Sequence, residues 1–284
     1  MKENKVITIQ DFSSLGQCSI TAALPIISAM GIETIALPVA LLSAQTNCCN
    51  DYTYVDLQKN LLPAAMQLKN WGLEFDYIYT GYLGKSAIVK DTIKLCQLTK
   101  PSRLIVDPAM AEHGKLYDGI TDDYVDAISE LCKLSDLALP NVSEACMMAD
   151  EKYSEILSID QIKLVAQKLF DKKIKNFVIT GIKTFDGMKL AYCQNGDVKF
   201  YDLKEIPGQF FGSGDVFAST LVGGLASGLN VDKAIRLAVA FTEKAIEITS
   251  KDKSHNYGLK FEKAIPFLVE QIQIHTCERS TVEL

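Results

Sequence analysis

The chain has 284 residues, 48% of them hydrophobic and 23% charged, with a formal net charge of −6. That length suits one large or two small domains with a sizeable core, and the acidic balance argues against a nucleic-acid or anionic-membrane partner. No run of about 18 apolar residues predicts a spanning helix. The start, MKENKVITIQ, lacks the apolar core and cleavage site of a secretion signal, so a cytoplasmic protein is expected.

Strand and helix patterns alternate along the chain. Lys5–Ile9 is a short β-rich run. Ser19–Met30 has helical spacing at Ile20, Ala23, Leu24 and Ile27, with Gly31 as its stop. Glu33–Val39 reads as a strand and Asp56–Trp71 as a helix. Then come strand Tyr77–Thr80, helix Lys85–Leu98, strand Arg103–Val106, helix Asp122–Cys132 and strand Leu137–Leu139. Ser158 and Gln161 have capping-box spacing for a helix through Phe170. Phe177–Ile179 reads as a strand ending at Thr180-Gly181, and Leu190–Cys193 with Val198–Tyr201 as a hairpin turning on Asn195-Gly196. Helices are expected over Gly214–Leu225, Val231–Thr249 and near Phe261–Ile272, with an aperiodic, mobile tail from about residue 273.

This alternation predicts an α/β fold: a central, mostly parallel sheet with helices on both faces. No Gly-, Pro- or Ser-rich linker divides the chain, so residues 1–284 read as a single domain. Eight cysteines, without a C-x-x-C pair, read as reduced thiols. The vicinal Cys48-Cys49 pair leaves metal binding or oxidation open beside that reading. Three scattered histidines have no zinc spacing.

In such a fold, ligands sit at the carboxyl ends of the strands. Gln10-Asp11, Thr80-Gly81-Tyr82, Asp107-Pro108, Pro140-Asn141 with Glu144, and Thr180-Gly181 each directly follow an apolar run. A second signal is FFGSGDVFASTLVGG, Phe210–Gly224. Asp215 in a first helical turn complements the dipole. Gly212 and Gly214 remove side chains where amides are still unpaired, which lets an anion approach closely. A plain capped helix and an anion site both fit these residues.

The ordered set D-P, N-x-x-E, T-G and G-S-G-D resembles the ribokinase-like superfamily of small-molecule kinases. The stretch IQDFSSLGQCSITAALPIISAMGIETIALPVALLSAQT, with YTGYLG at 79–84, is most similar to the pyridoxal/pyridoxamine kinases, and the resemblance covers roughly residues 4–250. It implies ATP-dependent phosphorylation of the 5′-hydroxymethyl group of a vitamin B6 vitamer, with Mg²⁺, often K⁺, and commonly a homodimer. It implies Asp215 as base and the Gly212, Ser213 and Gly214 amides as anion hole. Asn141 and Glu144 would organise Mg²⁺ and phosphates, with Asp107, supported by Glu112, near the metal. Thr180, Gly181 and Tyr117 would lie on the nucleotide side, and Asp11, Thr46 and Tyr82 at the B6 ring. Loops 41–54 and 112–119 are candidate lids. Leu139 stands where several pyridoxal kinases carry Thr, which removes a hydroxyl near the monovalent-ion site. The rival readings are a hydroxymethylpyrimidine (phosphate) kinase and a catalytically idle B6-binding protein.

Overall fold

A computed structural model describes residues 3–46 and 51–282, with side chains to residue 274. In chain order the elements are β1 (Lys5–Leu15), α1 (Ser19–Ala29), β2 (Glu33–Ala44), β3 (Tyr54–Asp56), α2 (Gln58–Asn70), β4 (Tyr77–Thr80), α3 (Ser86–Thr99) and β5 (Arg103–Val106). A small hairpin follows, β6 (Ala111–Glu112) and β7 (Lys115–Leu116), then α4 (Asp122–Leu134), β8 (Leu137–Ala138), α5 (Val142–Met148) and α6 (Ile159–Asp171). The chain continues through β9 (Asn176–Thr184), β10 (Gly187–Gln194), β11 (Asp197–Leu203), α7 (Ser213–Ala226), α8 (Val231–Thr249), a 3₁₀ turn (Phe261–Lys263) and α9 (Ile265–Val282). It forms two compact units, Asp56–Glu205, and Met1–Val55 with Ile206–Leu284.

In the unit Asp56–Glu205 the strand order is β11-β10-β9-β8-β5-β4. β4, β5, β8 and β9 run parallel, and β10 and β11 turn back antiparallel. Leu104, Ile105 and Val106 of β5 are all buried, as expected of a parallel strand covered on both faces. The crossover helices carry the expected end signals. Asp122 and Asp123 open α4 and Lys133 closes it, which suits the helix dipole. Ser158 and Gln161 form the predicted reciprocal capping box on α6. Asn195 and Gly196 both adopt positive φ, 50° and 95°, the signature of the expected two-residue hairpin turn.

The other unit holds β1-β2-β3, with β1 and β2 parallel, and α1, α7, α8 and α9. Its core joins Ile26 and Met30, Val216, Phe241 and Ala245, Leu259, Phe261 and Leu268. The glycine pair of α7 is explained by this packing. A Cβ on Gly223 would come within 2.4 Å of the Met30 sulfur, and one on Gly224 within 3.3 Å of Ala234 Cβ.

Three strands run further than their sequence pattern indicates. β1 continues past Ile9 to Leu15, β2 past Val39 to Ala44, and β9 through Thr180-Gly181 to Thr184. Gln10-Asp11 and Thr180-Gly181 therefore lie within strands, not after them. A bulge explains each case. Gln10 pairs with Pro38 and Asp11 with Ala40, leaving Val39 as an extra residue in β2. Pro38 has no N–H to offer the ladder. The buried positions of β2 change parity there, from Leu37 and Val39 to Ala40, Leu42 and Ala44. In β9, Thr180 and Gly181 together face Leu190, and Gly181 takes φ +68°, as in a glycine bulge. Leu41–Ala44, expected in a loop, belong to β2, and the 112–119 segment contains the β6–β7 hairpin. Cys48 and Cys49 lie outside the described residues. The last helix continues to Val282, beyond the end of the sequence periodicity.

Phe241 is fully buried in the core beside α1 and α9, whereas Asn230 caps α8 by accepting the Lys233 N–H at 2.9 Å. Phe241→Ala is expected to cost about 3–5 kcal/mol and Asn230→Ala about 1 kcal/mol, both read as urea midpoints at constant slope.

Candidate active site

The unit Asp56–Glu205 brings its candidate residues to the carboxyl ends of three neighbouring strands and to the bulge of a fourth. Thr80-Gly81-Tyr82 leave β4, Asp107 leaves β5, Asn141 follows β8, and Thr180 lies at the bulge of β9. Asn141 and Thr180 are bridge partners, and the Thr180 N–H donates to Pro140 O at 3.0 Å. The N-x-x-E motif is a complete capping box on α5. Asn141 Oδ1 accepts the Glu144 N–H at 3.0 Å, and Glu144 Oε2 accepts the Asn141 N–H at 2.8 Å. Glu144 Oε1 also accepts the Met110 N–H at 3.0 Å, and Asn141 Nδ2 donates to Ala111 O at 2.7 Å. Capping and site-building are thus one structure: the box fixes the chain that carries Glu112 and Tyr117. The Tyr117 N–H closes the hairpin onto Met110 O at 2.9 Å.

Glu144 is 2% exposed. Burial pushes its carboxyl above the ordinary range, against three backbone N–H donors that favour the charge. Asp107 is pushed up too, first by burial and then by Glu144. Its Oδ1 accepts the Ala109 N–H at 3.1 Å. A buried and a half-buried carboxyl resisting ionisation together are a site suited to a cation. Among the described residues, no group of three or more His, Cys, Asp or Glu converges to hold a metal by itself. Glu112 lies 3.9 Å from His113 and acts on Glu144 through its charge. A pair of carboxylates with open valences suits Mg²⁺, which takes one or two protein ligands plus water and phosphate oxygens. Tyr82 lies over Gly84, whose Cβ would meet the ring at 3.1 Å.

The other unit collects Asp11, Cys18 and Asp215. Deep burial, and after it the Asp215 and Asp11 carboxyl groups, push the Cys18 thiol well up, so it stays protonated. Asp11 is 3% exposed, and burial raises its own carboxyl. Ser13 Oγ donates to its Oδ2 at 2.6 Å. Thr46 is half-buried in the turn after β2. Gly212, at φ +76°, precedes α7. The Val216 N–H donates to Gly212 O at 3.0 Å, so the amides of Ser213 and Gly214 lie ahead of the first helical bond. Gly212 is required by the fold, since a Cβ there would sit 2.9 Å from Gln17 O. Gly214 is not required: it is exposed, helical, and a Cβ on it would meet nothing within 4 Å. A helical glycine with no structural need leaves an open approach to unpaired amides. This observation favours the anion site over the plain capped helix.

The phosphomethylpyrimidine kinase family model matches residues 14–260. The chain belongs to that family. A Staphylococcus aureus protein provisionally named a pyridoxine kinase is 29% identical over 178 residues, 61% of this chain. The match spans 63% of that relative's length. Pyridoxal kinase from Lactobacillus plantarum has 25% identity and a TM-score of 0.88, covering 96% of this chain and 99% of that one. A Bacteroides thetaiotaomicron protein provisionally named a phosphomethylpyrimidine kinase, crystallised with pyridoxal, has 26% identity and a TM-score of 0.85, covering 94% and 96%. Within this kinase family the fold is the ribokinase-like α/β fold that the motifs imply. No helix among the described residues is long and apolar enough to cross a membrane.

Sequence reasoning did not single out Cys18, which feels both Asp11 and Asp215, or the neighbouring Gln17 with its partner His255. One signal for the first two was available: Gly16-Gln17-Cys18 joins a strand to a helix, as phosphate-binding turns do.

The raised carboxyls give a pH dependence with a defined sign. Folded-state values above the unfolded ones mean that the folded chain binds more protons, so stability falls as pH rises past the ordinary carboxylate range. Asp107→Asn keeps the acceptor for Ala109 and removes one of the two charges. It is expected to flatten the loss of stability between about pH 5 and about pH 8, measured by denaturant melts; an unchanged slope would assign the loss elsewhere.

Proposed function

We propose that this chain transfers the γ-phosphoryl group of ATP to the 5′-hydroxymethyl oxygen of a vitamin B6 vitamer, giving the 5′-phosphate and ADP. The observation that carries this reading is the open N-terminus of α7, where Gly214 is free of any structural demand and Asp215 stands in the first turn. Phosphoryl transfer needs positioning and charge neutralisation more than covalent chemistry. The vitamer oxygen bonds to the γ-phosphorus, the bond to the β–γ bridging oxygen breaks, and ADP takes that electron pair. Asp215 accepts the hydroxyl proton, and the Gly212–Gly214 amides donate to charge on the transferred group.

Asp107 and Glu144 are the residues that would hold Mg²⁺, which when bound offsets phosphate charge. Glu144 already spends a lone pair of each oxygen on backbone N–H groups, so its position is fixed before any ion arrives. Asn141, Thr180, Gly181 and Tyr117 are assigned to the nucleotide, and Asp11, Thr46 and Tyr82 to the vitamer. At position 139 the buried Leu offers no hydroxyl to K⁺. A homodimer is the assembly we expect, to be checked by light scattering.

The second reading is a hydroxymethylpyrimidine (phosphate) kinase, favoured by the matching family's own description. The two use the same transfer chemistry and differ in the ring. ADP release with Mg-ATP is therefore measured with pyridoxal, pyridoxine, pyridoxamine and hydroxymethylpyrimidine in parallel. Turnover of a B6 vitamer supports the first reading, and turnover of the pyrimidine alone selects the second. Asp215→Ala is expected to lower kcat by about 10²–10⁴. Gly214→Ala separates function from folding. Stability should hold or rise by up to about 1 kcal/mol, while turnover falls about a hundredfold; retained turnover would reject the anion hole.

A further inference from the structure

Two non-glycine residues, Gln17 (φ 51°) and Ser19 (φ 48°), take left-handed backbone on either side of Cys18. Such a conformation is costly and persists only where the surroundings impose it. Three close approaches impose it here. Gln17 O lies 2.9 Å from the Cβ position of Gly212, and Gly16 O lies 2.3 Å from that of Gly258. A Cβ on Gly16 itself would run into the Gln45 side chain at 2.7 Å. Gln45 is in turn tethered, its Nε2 donating to Tyr257 O at 3.2 Å.

The Gln17 side chain is held at both ends by the segment after α8. Its amide nitrogen donates to Glu262 Oε1. A carboxylate only accepts, so this contact fixes the amide orientation. Gln17 Oε1 then accepts from His255 Nε2 at 3.1 Å. The 250–260 segment is itself closed at its base. Lys260 Nζ pairs with Asp252, the Lys260 N–H donates to Thr249 Oγ1 at 2.9 Å, and Asp252 Oδ1 accepts from Ser254. A braced loop thus grips one glutamine, whose own carbonyl is pressed against the residue that starts α7.

We infer that Gln17 is a positioning residue for the proposed phosphoryl transfer: clamped by His255 and Glu262, it holds the Gly212–Asp215 turn in its working geometry. The inference rests on the kinase reading for its catalytic consequence but not for its structural one. Gln17→Gly removes the clamp while suiting the left-handed backbone. Its melting temperature is expected to stay level or rise, its KM for the vitamer to change less than about threefold, and its kcat to fall at least about tenfold. His255→Ala, which leaves the turn's own residues intact, should lower kcat in the same direction, and the double variant should lose no more than the worse single one. A Gln17→Gly enzyme with unchanged kcat overturns the inference, as does a fall in kcat that merely follows a fall in stability. Should the unmodified chain release no ADP with any acceptor, the kinase reading fails. Hydrogen exchange then decides the clamp separately: the 213–216 amides exchange faster in Gln17→Gly if Gln17 holds the turn, and at the same rate if it does not.

Discussion

The contact between Gln17 O and Gly212 is the constraint on which one half of the proposed chemistry depends. It is a backbone-to-backbone approach, so no side chain can be moved aside to relieve it. A methyl at position 212 would have to displace the peptide that leads from β1 into α1. The position of α7, and with it Asp215, is therefore tied to the turn that carries Cys18. Cys18 sits between two carboxyl groups as a neutral thiol. A buried thiol adds bulk and weak polarity there without adding a third charge.

The unit Asp56–Glu205 solves a different problem. Glu144 and Asp107 are held where ionisation is disfavoured, and the backbone donors around Glu144 offset only part of that cost. The capping box keeps the arrangement intact, because Glu144 cannot leave without also uncapping α5 and freeing the Met110 and Asn141 N–H groups. A site can be built this way from interactions that look purely structural. At this position a helix cap and the proposed role of the carboxylate are compatible, because the cap leaves lone pairs on both oxygens.

The short parallel strands were legible because each is an apolar run stopped by Gly, Pro or a polar residue. β4 and β5 match their sequence bounds residue for residue, and α8 does as well. The Ser158 capping box and the Asn195-Gly196 turn were legible because their chemistry is local. The long strands were not, because alternation is a statement about phase. At Val39–Ala40 the phase of β2 changes, and a pattern read forward from Glu33 ends there although the strand does not. The tertiary grip on Gln17 was illegible for another reason. Its partners are 238 and 245 residues away in the sequence, and nothing in a Gly-Gln-Cys triplet announces a left-handed backbone.

The bulge in β2 also bears on how such a chain can change over generations. Beyond Val39 the core-facing set is Ala40, Leu42 and Ala44, and it stays on that side because the bulge absorbs Val39 as an extra residue. Deleting Val39 would smooth the bulge and leave Leu37, Ala40, Leu42 and Ala44 in plain alternation on the core side. Inserting a residue into the regular stretch that follows would instead turn Leu42 outward. Lineages carrying this strand can therefore lose position 39 more easily than they can gain a residue after it. A one-residue gap at this point in a relative's alignment would mark a strand without its bulge whose later residues face as they do here.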